Sequence, residues 1–124
     1  MKIIIAGGRE VVEYRVILDA IVKSGYWKQY KQTIEVVSGM ARGADALGVE
    51  FAKRNGLVVH EFHADWDGKG KAAGHIRNAE MGQYAKAHNG ALLALWNGVS
   101  PGTRGMIAWA EKHCLEHYVY RTDK

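Results

Sequence analysis

Val36-Val37-Ser38-Gly39-Met40-Ala41-Arg42-Gly43-Ala44-Asp45 reads as a buried strand that runs into a glycine-containing loop. The loop opens directly into a helix with Ala44, Leu47, Gly48 and Phe51 on one face. This order sets free backbone N–H groups and a helix N-terminus at the carboxyl end of a strand, where an anion is favoured.

The pattern repeats on both sides of that stretch. Ile3 to Ala6 forms an apolar run closed by Gly7-Gly8, and Tyr14 to Ser24 has Ile17, Ala20 and Ile21 at helical spacing before Gly25. Tyr26 to Tyr30 is a connection of undefined form. Further strands are expected at Ile34 to Ser38, Leu57 to Phe62, Ala91 to Leu95 and His117 to Tyr120. Helices are expected at Ala44 to Asn55, Ile76 to His88 and Thr103 to His113, with residues 63–74 as a loop. Several strands are continuous apolar runs, the pattern of a parallel sheet covered on both faces. The expectation is an α/β Rossmann-like three-layer sandwich, with a mostly parallel sheet of about five strands flanked by helices. Residues 1–124 are read as one domain, a size that suits one hydrophobic core.

Composition narrows the function classes. The net charge of +4 favours an anionic ligand, but Lys and Arg are spread along the chain with no basic run longer than the pair Lys53-Arg54. Nucleic acid is therefore a less favoured partner than a small anion. No apolar stretch is long enough to span a membrane, and a cytoplasmic protein is expected. Cys114 is the only cysteine and is expected to pack as a small side chain.

Four loops leave strands at the carboxyl edge: Gly7-Gly8-Arg9, Ser38 to Gly43, His63 to Gly74, and Asn97 to Thr103. Glycine lets the backbone approach a ligand, and arginine offers a fork for phosphate. Arg9, Arg42 and Arg104 lie in or just beyond three of these loops. Asp45, in the first turn of its helix, either stabilises the positive helix end or accepts a hydrogen bond from a sugar hydroxyl. Arg77 is read near a helix start, where a cation calls for an anion beside it, or else as a surface partner of Glu80. Trp66 is read as a core anchor ahead of a base-stacking surface. Gly68-Lys69-Gly70-Lys71 is either a closing loop or a mobile connection. Glu61, His63, Asp65 and Asp67 would project to one side of an extended chain, but no partner motif completes a metal site. Neither a metal nor a cofactor is expected.

Gly7-Gly8-Arg9, the segment Ser38 to Asp45, Ala64-Asp65-Trp66, the segment Ala73 to Met81, and Gly102-Thr103 together resemble the SLOG superfamily. The branch they resemble most is that of the small stand-alone YspA-related proteins of bacteria and their phages. The likeness runs over nearly the whole chain. It implies a Rossmann-like fold, a nucleotide or nucleotide-derived ligand, and a homodimer or higher homo-oligomer. It also implies that Gly39, Arg42, Gly43, Gly102 and Thr103 line a phosphate-ribose pocket. Arg77 is similar to the arginine of the Arg-x-x-x-Met segment in the Lonely Guy phosphoribohydrolases, a related branch. In those hydrolases a glutamate follows three residues after the threonine of Gly-Thr, and here that position is Met106. Methionine moves no proton.

Binding of a nucleotide-type ligand, in a sensor, carrier or sequestering role, is the favoured expectation. Its contacts would come from Gly7, Gly8, Arg9, Ser38, Gly39 and Ala41 at one side. Arg42, Gly43, Asp45, Asp65 and Trp66 would continue the wall, and Arg77, Asn78, Gly102, Thr103 and Arg104 would close it. A hydrolase acting on an N-glycosidic or phosphate bond is the alternative, with Arg77, Asp45, Asp65 and Glu80 as catalytic candidates. Single-stranded DNA binding, by analogy with the related DNA-processing protein A, is the third.

Overall fold

The computed structural model describes residues 1–124. Five strands, β1 (Lys2–Gly7), β2 (Glu35–Ser38), β3 (Val59–Glu61), β4 (Ala91–Trp96) and β5 (Glu116–Arg121), form one sheet in the order β3-β2-β1-β4-β5. Every neighbouring pair is parallel, in registers such as Ile4 beside both Val37 and Leu92. The expected mostly parallel sheet is thus wholly parallel.

Six helices connect the strands: α1 (Tyr14–Ser24), α2 (Tyr26–Tyr30), α3 (Ala44–Arg54), α4 (Trp66–Lys69), α5 (Ala73–Ala87) and α6 (Pro101–Lys112). Side chains alternate across each strand, so the central strands serve two cores. Ile3, Ile5, Val36, Leu93 and Leu95 pack with Ile17, Ile21 and Phe51 of α1 and α3. Ile4, Val37, Leu92 and Ala94 pack with Met81, Met106 and Ile107 of α5 and α6. Because both faces are covered, Ala91 to Leu95 are all buried, which is why β4 reads as an unbroken apolar run.

The chain winds outward from β1 to β3 under one helical layer, then crosses to β4 and winds the other way under the second. The sheet therefore switches direction between β1 and β4, and a crevice opens at their carboxyl ends. The result is a Rossmann-like α/β sandwich.

Four local readings change. Tyr26–Tyr30 is a short helix whose Tyr26 is buried, so the undefined connection is a packed turn of helix. Residues 63–74 are not a plain loop. Asp65 accepts a hydrogen bond from the Gly68 N–H at 3.0 Å, capping α4, and a 3₁₀ turn at Gly70–Ala72 leads straight into α5. α5 accordingly starts at Ala73, ahead of Ile76. α6 starts at Pro101, where proline costs no helix hydrogen bond. Cys114 is exposed, with φ of 56°, because the chain reverses there and buries Leu115 in its place. No helix is long and apolar enough to cross a membrane.

Candidate functional site

The crevice at the switch point is a cleft of about 870 Å³. Its walls come from four of the strand-to-helix connections, and it receives the N-terminal ends of α3, α5 and α6.

A glycine lets the first two connections meet. Gly43 has φ of +79°, and a Cβ there would lie 2.3 Å from the Gly8 carbonyl oxygen and 2.5 Å from the Arg9 Cα. The loops are stitched by the Ala44 N–H, which donates to the Gly8 carbonyl at 3.1 Å. Gly39 is confined more softly, because an added Cβ would sit 2.9 Å from side-chain tips, the Arg77 guanidinium and Asp45 Oδ2. No protein carbonyl accepts from the N–H groups of Gly39, Arg42 or Gly43, nor from those of Gly102 and Thr103 at the start of α6. Unpaired donors of this kind at helix N-termini attract an anion.

The charge in the cleft has the same bias. Arg9, Arg42, Lys71 and Arg77 line it, against Glu10 and Asp45. Arg9, Arg42 and Lys71 form no ion pair within the protein. Arg77 Nη1 donates to the Gly39 carbonyl at 2.8 Å, and its Nε donates to Asn78 Oδ1 at 3.3 Å. Arg77 lies one turn inside α5, not at its first residue, and it reaches back across the cleft floor to β2. It forms no ion pair with Glu80.

Asp45 is only 4% exposed. Burial raises its pKa above the ordinary aspartate range. The Ala41 N–H, which donates to Oδ2 at 3.3 Å, opposes this together with the Arg77 charge and the Gly7 N–H. The cleft thus holds a buried carboxyl close to an arginine.

Of the expected ligand residues, the cleft gathers Gly7, Gly8, Arg9, Gly39, Ala41 and Arg42 on one side. Asp45, Trp66, Arg77, Asn78, Gly102 and Thr103 complete that set. Five expected residues lie outside the lining. Ser38 is fully buried, with Oγ accepting from the Met40 N–H at 3.1 Å. Gly43 is taken up by its contact with Gly8 and Arg9. Asp65 is spent capping α4, and Glu80 faces solvent. Arg104 turns away, its guanidinium 5.5 Å from the Trp96 ring centroid.

Trp66 is not a core anchor. It is 55% exposed on the cleft wall, with its ring near Gly74. Glu61 and His63 meet, with His63 Nε2 3.0 Å from Glu61 Oε1, but Asp65 and Asp67 do not join them, because β3 ends at Glu61 and the chain coils at Trp66. No group of three or more such side chains is placed to hold a metal ion.

Sequence reasoning left out His63, Lys71 and His75, which also line the cleft. Their loop had been noted, and a cation beside glycines was the available signal. It also left out Met81, which forms an apolar floor with Met106, the residue at the hydrolases' glutamate position, each 1% exposed. Buried methionines at helical spacing carry no mark of a site.

The YAcAr family, described as YspA, cpYpsA-related SLOG, matches residues 1–68. Gene 61 protein of Mycobacterium phage D29 is 34% identical over 116 residues, spanning 90% of this chain and 89% of that protein. The matched family segment carries β1 to β3 and both stitched loops, and the phage relative extends the similarity over α5 and α6. The chain belongs to the YspA, cpYpsA-related SLOG family.

Proposed function

We propose that this protein binds a nucleotide or nucleotide-derived molecule in the switch-point cleft, as a sensor, carrier or sequestering protein. One observation carries the reading: Gly39, Arg42, Gly102 and Thr103, whose N–H groups have no carbonyl partner, line the same cleft as the unpaired cations Arg9, Arg42 and Lys71. Phosphate would sit on these donors, with ribose toward Thr103, whose side chain is otherwise buried. Family membership supports a nucleotide-related ligand at that coarse level. Met106 on the floor, in place of the hydrolases' glutamate, supports binding over glycosidic cleavage.

The test is mass spectrometry of small molecules released on denaturing the purified protein, followed by calorimetric titration of the emptied protein with what is released. A nucleotide-type anion is expected, and Arg42→Ala should weaken its binding about tenfold or more without loss of fold. Release of no such molecule, together with no heat from a panel of nucleotides, would refute the reading.

The buried Asp45 carboxyl favours a second reading, a hydrolase in which Asp45 handles the proton beside Arg77. Free base released from a nucleotide by the intact protein, but not by Asp45→Asn, would establish it.

A further inference from the structure

We infer that Trp66 and the strap it opens, residues 66–72, close on a planar ring of the ligand. The site would thereby select an aromatic, base-bearing anion over a sugar phosphate. This rests on the proposed phosphate binding in the same cleft.

Tryptophan normally buries most of its large apolar surface. Trp66 leaves 55% exposed. Its Cη2 would lie 3.4 Å from a Cβ added at Gly74, an ordinary contact distance, so the ring rests beside the α5 backbone with no side chain between them. The ring also forms part of the cleft wall, which Lys71 and His75 share. An indole backed by backbone and facing an anion-binding cleft suits stacking by a base, which is sequence-tolerant because every base has a π-face.

The strap itself is lightly held. Residues 65–72 are all exposed. The hydrogen bonds within it are local, from Gly68 N and Lys69 N to Asp65 and from Ala73 N to Gly70. A segment with few buried contacts and only local bonds opens at low cost. Lys71 rides on it, so closure brings a cation and an aromatic face to the ligand together.

The experiment titrates the protein with ribose 5-phosphate and with nucleoside monophosphates of each common base, using wild type, Trp66→Phe and Trp66→Ala. Wild type should bind at least one nucleotide about tenfold more tightly than ribose 5-phosphate. Trp66→Ala should weaken that nucleotide roughly 5- to 100-fold and leave ribose 5-phosphate unchanged, while Trp66→Phe keeps most of the affinity. The same nucleotide, but not ribose 5-phosphate, should slow tryptic cleavage after Lys69 and Lys71. Equal affinity for both ligand types, or equal weakening of both by Trp66→Ala, would overturn the role of Trp66 and leave phosphate binding standing. Binding of neither would overturn both.

Discussion

The Arg77 guanidinium donates to the Gly39 carbonyl oxygen at 2.8 Å, across 38 positions of sequence. This bond ties α5, in one helical layer, to the loop that leads into α3, in the other. It holds an arginine at the cleft floor close to a buried carboxyl. The cleft's geometry therefore depends on a side chain that would also serve as a ligand contact.

Arg77→Ala should accordingly act on stability as well as on binding. It removes a charged hydrogen bond and the nearest cation to Asp45, and a loss of about 2–4 kcal/mol is expected by urea denaturation. Arg42→Ala, at an exposed residue without partners, should lower binding while leaving stability within about 0.5 kcal/mol. Equal stability of the two variants would show that the Gly39 bond holds nothing.

Gly43→Ala should be severe. Its positive φ disfavours any side chain, and the new Cβ would strike the backbone of Gly8 and Arg9. Backbone cannot move aside as a side-chain tip can, so a loss of about 2–4 kcal/mol in denaturant is expected. Gly102→Ala, where a Cβ meets nothing within 4 Å, is the matched control and should stay within about 1 kcal/mol of wild type.

Asp45 should leave a signature in pH dependence. Its folded pKa lies above the ordinary aspartate value because burial outweighs the nearby donors and Arg77. The folded protein then binds this proton more tightly than the unfolded chain. Its contribution is full below the ordinary aspartate pKa and is lost as pH rises through the folded value. Asp45→Asn keeps an acceptor for the Ala41 N–H. It should remove that decline, so that its stability relative to wild type improves between about pH 4 and neutrality. Parallel stability–pH curves for the two proteins would contradict the buried-acid assignment.

At the far edge of the sheet the sign reverses. Glu35 Oε1 lies 2.6 Å from His60 Nε2 and 3.4 Å from Lys2 Nζ. The His60 hydrogen bond, and then Lys2, hold its carboxyl below the ordinary range. This stabilisation is present above the unfolded glutamate pKa and is lost as pH falls through the lowered folded value. Glu35→Gln should cost under about 1 kcal/mol at neutral pH and nothing in strong acid, because the pair is about one-third exposed. Denaturation midpoints at both pH values check it.

Met106 tests the cleft floor. Leucine there should cost less than about 1.5 kcal/mol. Met106→Glu would bury a carboxyl at a site that is 1% exposed, and about 2–4 kcal/mol should be lost near neutral pH, less in acid as the group protonates. A glutamate variant as stable as wild type at neutral pH would mean that the floor is wet.

Much of the layout was legible from the chain. Unbroken apolar runs such as Ala91 to Leu95 marked buried parallel strands, and Ile17, Ala20 and Ile21 marked the inner face of α1, because burial on a regular element leaves a periodic trace. Gly7-Gly8-Arg9, the loop Gly39 to Gly43 and Gly102-Thr103 pointed to the carboxyl edge for the same kind of local reason. The helical turns within residues 66–72, a segment that reads as a loop, are not legible because they rest on the Asp65 cap and two adjoining short turns, with no apolar periodicity. Tyr26–Tyr30 has no readable form in the sequence because one buried side chain, Tyr26, is too little to show a period.

What the amino-acid sequence determined by itself was the set of elements, their two-sided burial and the anion-favouring strand ends, since each follows from neighbours along the chain. The tertiary structure alone decided which residues at those ends share one cleft. Asp65, Glu80 and Arg104 sit near the right glycines yet point elsewhere, while Lys71, His75, Met81 and Met106 turn inward. It also paired Arg77 with Gly39 and buried Asp45 beside them. Those outcomes depend on how helices from opposite faces of the sheet meet at the switch between β1 and β4, and no local pattern encodes that meeting.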